Sequence, residues 1–283
     1  MAEILRGAPV AAAISDNLRG RVQELKSAGI TPTLALLRVG ERADDIAYEN
    51  AAVKRCENIG IAVRRFTLPE DCARQMLLDA VAEINGDESI HGCLMFRPLP
   101  DRAAEAEACA LLATEKDVDG MTAGSLAGVF TGSGAGYPPC TAQACMELLS
   151  HYGVELCGKN AVVVGRSLVI GKPVSMLLQA ANATVTMCHT KTENMAEICR
   201  RADVIVAAAG RAGIVTDEFL TEKQTVVDIG INVTEDGNLV GDVRFDEAEN
   251  KVRAITPVPG GVGSVTTAVL AKHVVEAAEK SAK

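Results

Sequence analysis

Tyr48 sits in the run Asp44-Asp45-Ile46-Ala47-Tyr48-Glu49-Asn50-Ala51-Ala52-Val53-Lys54-Arg55-Cys56, whose spacing predicts a helix from Asp44 to Ile59. Residues i and i+4 share a helix face, so a phenol at 48 and a side chain at 52 could reach one ligand. Position 52 is alanine and has no polar chemistry to offer. Lys54, six positions beyond Tyr48, is turned by about 600° and leaves the helix about 120° away from it.

A second group of residues has the layout of a dinucleotide loop. The strand Asn160–Val164 ends at Gly165 and continues Arg166-Ser167-Leu168-Val169-Ile170-Gly171-Lys172-Pro173 into a helix. Proline near a helix start loses little, because the first N–H groups have no partner within the helix. Amides at such a start can hold a pyrophosphate through their N–H groups and the helix dipole. The glycine spacing is not G-x-G-x-x-G, and an ordinary strand-to-helix turn fits the same string.

The end of the next strand, Cys188-His189-Thr190-Lys191-Thr192, carries hydroxyls and a cation where NAD-binding folds place a ribose-binding acid. That favours a 2′-phosphate, hence NADP over NAD; a solvated loop after a strand has the same composition. Two more strands end in glycine-bearing loops, Ala209-Gly210-Arg211-Ala212-Gly213 and Asp228-Ile229-Gly230-Ile231-Asn232, and parallel sheets bind ligands at such carboxyl ends.

Alternating strands and helices must position these groups, the pattern of an α/β protein with parallel sheets. Strands are expected at Thr33–Val39, Ala62–Leu68 and Gly92–Phe96, with a helix at Cys72–Ile84 between the last two. A helix follows at Thr141–Tyr152, then strands at Asn160–Val164, Thr184–Met187, Val204–Ala208 and Thr225–Ile229. Ser264–Lys283 reads as a final helix returning to the first domain. The glycine- and proline-rich stretch 131–139 marks the junction, giving residues 1–140 plus 264–283 as one domain and 141–263 as the other.

The 283 residues, 48% hydrophobic, suffice for that core. A net charge of -9, no tryptophan and 3% aromatic residues argue against a nucleic-acid surface. A charged beginning and the lack of a long apolar run argue against a signal peptide and a membrane span, so the cytoplasm is expected. Nine scattered cysteines without a C-x-x-C pair, and four histidines with none at i, i+4, indicate neither a disulfide framework nor a metal site.

Gly165-Arg166-Ser167 with Gly171 and Pro173, the segment TVTMCHTKT, Asp228-Ile229-Gly230-Ile231-Asn232, Gly241-Asp242-Val243, Lys116-Asp117-Val118-Asp119-Gly120, Pro139-Cys140-Thr141 and Ile255-Thr256-Pro257-Val258-Pro259-Gly260-Gly261-Val262-Gly263 occur in order over nearly the whole chain. Together they resemble the methylenetetrahydrofolate dehydrogenase/cyclohydrolase family; the PVPGGVG and KDVDG strings are the specific ones.

The resemblance implies an N-terminal α/β folate-binding domain, a Rossmann-type NAD(P)-binding domain with a parallel sheet, a cleft between them and a homodimer. It implies Tyr48 and Asp119 as catalytic and substrate-binding residues, Asp119 by hydrogen-bonding the pterin ring. Pro259, Gly260 and Gly261 become a wall near the nicotinamide. The cofactor contacts would be Gly165, Arg166, Ser167, Gly171, Thr190, Lys191, Gly210 and Ile231.

The departures lie in one pocket. The family pattern has a lysine where this chain has Ala52, and a glutamine where it has Phe96 in Met95-Phe96-Arg97-Pro98-Leu99-Pro100. Asp45 replaces a serine, and Ser264 and Val265 replace a proline and a methionine. Oxidising the methylene bridge needs only alignment of donor carbon and nicotinamide, because two flanking nitrogens stabilise the cation. Hydrolysing the methenyl product needs proton transfer, worth about 10²–10⁴-fold. The residues therefore point to an NADP-dependent dehydrogenase with little or no cyclohydrolase activity. Alternatives are a bifunctional enzyme in which Asp45, Lys54 or Arg97 transfers protons, or a silent folate- or nucleotide-binding protein. Arg97 is expected to point away from the slot of residue 96, as strand neighbours do.

Overall fold

The computed structural model describes residues 1–282. In chain order the elements are β1 (Glu3–Ile4), α1 (Gly7–Ser27), β2 (Thr33–Val39), α2 (Ala43–Ile59), β3 (Ala62–Leu68), α3 (Arg74–Gly86), β4 (Gly92–Met95), α4 (Arg102–Leu111), α5 (Ala123–Thr131), α6 (Cys140–His151), β5 (Asn160–Val164), α7 (Gly171–Ala180), β6 (Thr184–Cys188), α8 (Met195–Arg200), β7 (Val204–Ala207), β8 (Thr225–Asp228), β9 (Asn232–Val233), β10 (Leu239–Val240), α9 (Phe245–Ala248), β11 (Ala254–Ile255) and α10 (Gly263–Ser281).

The chain forms two compact units, one of Met1–Ala12 with Thr141–Thr266, the other of Ala13–Cys140 with Thr267–Lys283. In the second, β2 pairs in parallel with β3 on one side and β4 on the other. The central strand, TLALLRV, is apolar on both faces, as a strand covered on both sides requires. Its Leu37 and Val39 pack with Leu77, Val81 and Ile84 of α3 and Ala104 and Ala108 of α4. Asp44 and Asp45 in the first turn of α2 complement the helix dipole, and Gly60 ends the helix in the left-handed conformation. Asp101 caps α4 by accepting from the amides of Ala103 and Ala104.

The other unit holds a six-stranded, all-parallel sheet in the order β1-β11-β8-β7-β5-β6. Strand β5 lies between β6 and β7, which puts the reversal of strand order at its carboxyl end. Val162, Val164, Ile205 and Val226 build the core beneath it.

The four strands expected between Asn160 and Ile229 are present to within one residue at their ends. The expected final helix occupies Gly263–Ser281, and Lys283 falls outside the described residues. Helices α1, α4, α5, α8 and α9 and strands β1, β9, β10 and β11 are additions to the sequence reading. Strand β1 also corrects it: residues 1–12, assigned to the first domain, group with the large sheet because Glu3 and Ile4 pair with Ala254 and Ile255. Among the described residues no helix is long and apolar enough to cross a membrane, and no group of three His, Cys, Asp or Glu could hold a metal ion.

Candidate active site

In the unit with the three-stranded sheet, α2 presents Tyr48 half-buried, its ring edge-on to Phe96 with centroids 6.2 Å apart. The Phe96 amide donates to the Leu37 carbonyl at 2.9 Å, holding this residue beside the sheet one step past the end of β4. Ala52 is 1% exposed and belongs to the buried stripe of α2 with Asp45, Glu49, Cys56 and Ile59. Lys54 is exposed, as its helical angle predicts. Asp45 is buried, 3.9 Å from the Arg42 guanidinium.

Asp119 comes from the KDVDG string, and its neighbours in that string explain its placement. The Lys116 ammonium donates to the carbonyls of Ile84, Asn85 and Asp87 at 2.7, 2.9 and 2.7 Å, capping the end of α3. Asp117 is fully buried and accepts from the amides of Met121 and Thr122 at 3.0 and 2.7 Å. Val118 fills the space over Gly92, where a Cβ would lie 2.5 Å from the valine side chain. Gly120 has φ +70 and passes so close to the 137–139 segment that a Cβ would sit 2.4 Å from the Pro139 nitrogen. Four of the five residues thus fix the loop, and Asp119 is the one left over.

Burial pushes the Asp119 carboxyl up to about 6, with Asp117 adding to the rise and the positive charge of Arg97 opposing it. Burial, and then the charge of Asp119, raise the Tyr48 phenol above its ordinary value. Beside them the Cys140 thiol, also raised by burial, donates to the Val118 carbonyl at 3.2 Å. His273 on α10 places Nδ1 2.8 Å from that carbonyl and 3.7 Å from the Cys140 sulfur.

Arg97 lies two residues beyond the end of β4. Its charge reaches Asp119 and also Cys109 of α4. Its Nε is buried without a hydrogen-bond partner among the described residues.

In the unit with the six-stranded sheet the predicted cofactor residues gather at the carboxyl ends of the parallel strands. Gly165 follows β5 with φ +137, and a Cβ there would lie 2.0 Å from the Ala208 carbonyl oxygen. A Cβ on Gly171 would lie 2.4 Å from the Gly165 oxygen, so the two glycines let the backbone fold into a tight cradle at the start of α7. The Ser167 hydroxyl accepts from the amides of Ile170 and Gly171 at 3.1 and 3.4 Å. Arg166 is exposed beside it. After β6, the Thr192 hydroxyl accepts from the His189 amide at 2.9 Å, closing a turn that leaves Thr190 and Lys191 exposed.

Sequence reasoning missed how the remaining loops are tied. Asp242, fully buried, accepts from the amides of Ala209, Gly210 and Arg211 at 2.6, 2.9 and 2.8 Å and from the Asn232 side chain at 3.0 Å. Asp228 accepts from the amides of Gly230, Asp242 and Val243 at 2.9, 3.0 and 2.8 Å, and burial raises its carboxyl to about 6 against those bonds. The pair fixes Gly210 and leaves Ile231 65% exposed. The only signal was the two aspartates in DIGIN and GDV, whose pairing appears only in the fold.

Pro259 and Gly260 are exposed in the loop after β11, while Gly261 is buried. The Gly260 carbonyl accepts from the Gly7 amide at 2.8 Å, and a Cβ on Gly7 would lie 2.1 Å from the Gly261 oxygen.

A parallel sheet with a glycine cradle at its switch point is a Rossmann-type dinucleotide-binding unit, here in one chain with a second parallel α/β unit that carries a half-buried phenol and carboxyl. Residues 139–282 match the family model described as tetrahydrofolate dehydrogenase/cyclohydrolase, NAD(P)-binding domain, and residues 5–119 match that of the catalytic domain. The chain therefore belongs to the tetrahydrofolate dehydrogenase/cyclohydrolase family. It is 50% identical over 281 residues to the bifunctional protein FolD of Carboxydothermus hydrogenoformans, covering 99% of this chain and 98% of that one. It is 48% identical to the bifunctional protein FolD of Clostridioides difficile, covering 97% and 96%. The crystal structure of the bifunctional FolD methylenetetrahydrofolate dehydrogenase/cyclohydrolase from Campylobacter jejuni superimposes with a TM-score of 0.95 at 37% identity, covering 99% of both chains. That of the Trypanosoma brucei dehydrogenase-cyclohydrolase, complexed with NADP cofactor and inhibitor, does so with 0.92 at 34% identity, covering 100% and 99%.

Proposed function

We propose that this chain oxidises 5,10-methylenetetrahydrofolate to 5,10-methenyltetrahydrofolate by hydride transfer to a nicotinamide dinucleotide, NADP in preference to NAD. The observation that carries this reading is the match of both domains of the family over nearly the whole chain, with the glycine cradle and the Tyr48–Asp119 pocket both retained. When bound, the nicotinamide supplies the hydride acceptor. The cradle of Gly165 and Gly171, with Arg166 and Ser167 beside it, suits the pyrophosphate. Thr190 and Lys191 suit a 2′-phosphate, and the NADP in the Trypanosoma brucei structure supports that choice. Asp119 as a carboxylate accepts pterin N–H groups, Tyr48 lines the folate pocket, and Pro259, Gly260 and Gly261 wall the nicotinamide. A cytoplasmic homodimer accompanies this reading through the family resemblance alone.

The relatives' names favour a bifunctional enzyme that also hydrolyses the methenyl product. In that case Asp119, whose carboxyl titrates at about 6, is the proton acceptor nearest neutrality in the pocket, with Arg97 beside it. One specific observation favours the dehydrogenase-only reading: the buried Ala52 and Phe96 put neither an ammonium nor a carboxamide next to Tyr48.

A paired assay tests both. Reduced-nicotinamide absorbance should rise with methylenetetrahydrofolate, faster with NADP than with NAD; no signal with either cofactor overturns the proposal. Conversion of the methenyl compound to the 10-formyl form above the uncatalysed rate, lost in Asp119→Asn, supports the bifunctional enzyme. Conversion at the background rate leaves the dehydrogenase alone.

A further inference from the structure

The unit with the three-stranded sheet has a second opening, at the amino ends of β2 and β4. A cleft of about 860 Å³ lies there, and none of Tyr48, Phe96 and Asp119 lines it. Its walls come from the turn after α1, the loop that leads into β4, Thr33 at the head of β2, Tyr137 and the last turns of α10. Phe96 stands past the far end of β4, so this cleft and the Tyr48 pocket lie at opposite ends of one sheet.

Three donors of these walls have no acceptor. Tyr137 is 3% exposed, and its hydroxyl is buried without a hydrogen-bond partner among the described residues. Burial, with Glu276 and Glu279 of α10, holds the phenol above its ordinary value, so it keeps its proton and offers it. Leaving such a group unpaired is unfavourable, and a fold retains one where a partner arrives. The Lys280 ammonium lies 4.4 Å over the centre of the Tyr137 ring and makes no ion pair among the described residues. His91 accepts from the Thr33 amide at Nδ1, 3.2 Å away, which leaves the ring proton on Nε2. Burial and then the Lys116 charge hold this imidazole below its ordinary value, so it is an uncharged donor at neutral pH. Lys116 itself gives its N–H groups to three carbonyls around the end of α3 and adds charge alone.

We propose that this cleft binds a small monocarboxylate, which pairs with the Lys280 ammonium, accepts from the Tyr137 hydroxyl and has the His91 Nε2–H as a further donor. A short apolar tail lies along Ile30, Ile90 and Ala277, which line the same space. The two oxygens of a carboxylate have acceptor sites enough for all three donors. A doubly charged phosphate is disfavoured by Glu88 and Glu115, exposed carboxylates in the same walls. The Tyr137 hydroxyl is closed from solvent in the free protein, so the flexible lysine lying on its ring is the part that shifts as the ligand enters. Binding there requires neither folate nor nicotinamide.

Butyrate is the probe, with inorganic phosphate as the competing anion and chloride holding the ionic strength constant. The chain has three tyrosines, so in carbon-13-labelled protein the ζ-carbon signal of Tyr137 is the one missing in Tyr137→Phe. In the wild type butyrate should move that signal along a curve that saturates below about 100 mM, and phosphate should bind more weakly. Lys280→Gln changes an exposed side chain and should raise the butyrate dissociation constant about tenfold, the loss of one charge-assisted bond. Tyr137→Phe should hold or raise the urea-denaturation midpoint of ligand-free protein, because the hydroxyl it deletes has no partner. A linear or absent shift with butyrate, phosphate binding as tightly or more so, an unchanged dissociation constant in Lys280→Gln, or a lowered midpoint in Tyr137→Phe overturns the proposal.

Discussion

Half-buried Asp119 and buried Asp228 both carry carboxyls raised by desolvation to about 6, and they differ in what opposes the rise. Around Asp228 it is the chain's own backbone, with three amides donating at 2.8 to 3.0 Å. Around Asp119 it is a guanidinium acting through space and a single thiol. A carboxylate saturated by backbone amides is a structural tie. One with its accepting positions still open, in a pocket beside a phenol, is equipped to receive a ligand's N–H groups. The size of a pKa shift therefore says little about role; the identity of the opposing groups says more.

Conservative substitution should split the two aspartates. Asp119→Asn should cost about 10²-fold or more in kcat/KM for methylenetetrahydrofolate, the worth of about two charge-assisted hydrogen bonds. Its urea-denaturation midpoint should hold or rise, because a buried carboxyl with few donors is no asset to the fold. A stability loss equal to the activity loss would erase the contrast. On the other side, Asp242→Ala strands three backbone amides and the Asn232 side chain, and should lower unfolding free energy by about 3 kcal/mol. An effect under about 0.5 kcal/mol, the size of a surface change, would show that water replaces the carboxylate at no cost.

The smallest effect sharpens the cofactor side. Lys191→Ala should raise KM for NADP about fivefold, the scale of one exposed charge pair, and leave KM for NAD unchanged. Equal changes for both cofactors would remove Lys191 as the 2′-phosphate contact.

What the sequence disclosed follows the range of the interactions involved. The helix carrying Tyr48 and Ala52, and the exposure of Lys54, were legible because they depend on angles within one helix. The strands of the large sheet were legible because buried parallel strands read as continuous apolar runs. Strand β1 was invisible, since two residues show no period and their pairing with β11 lies some 250 positions away. The Asp242 tie was hidden for the same reason: the amides it gathers lie 31 to 33 residues earlier in the chain.

The contact of Gly7 with Gly260 and Gly261 has a practical side. Residues 1–12 are a fastener for the diglycine bend. Removing Gly7, or giving it a side chain, would loosen that bend while every side chain in it stayed intact.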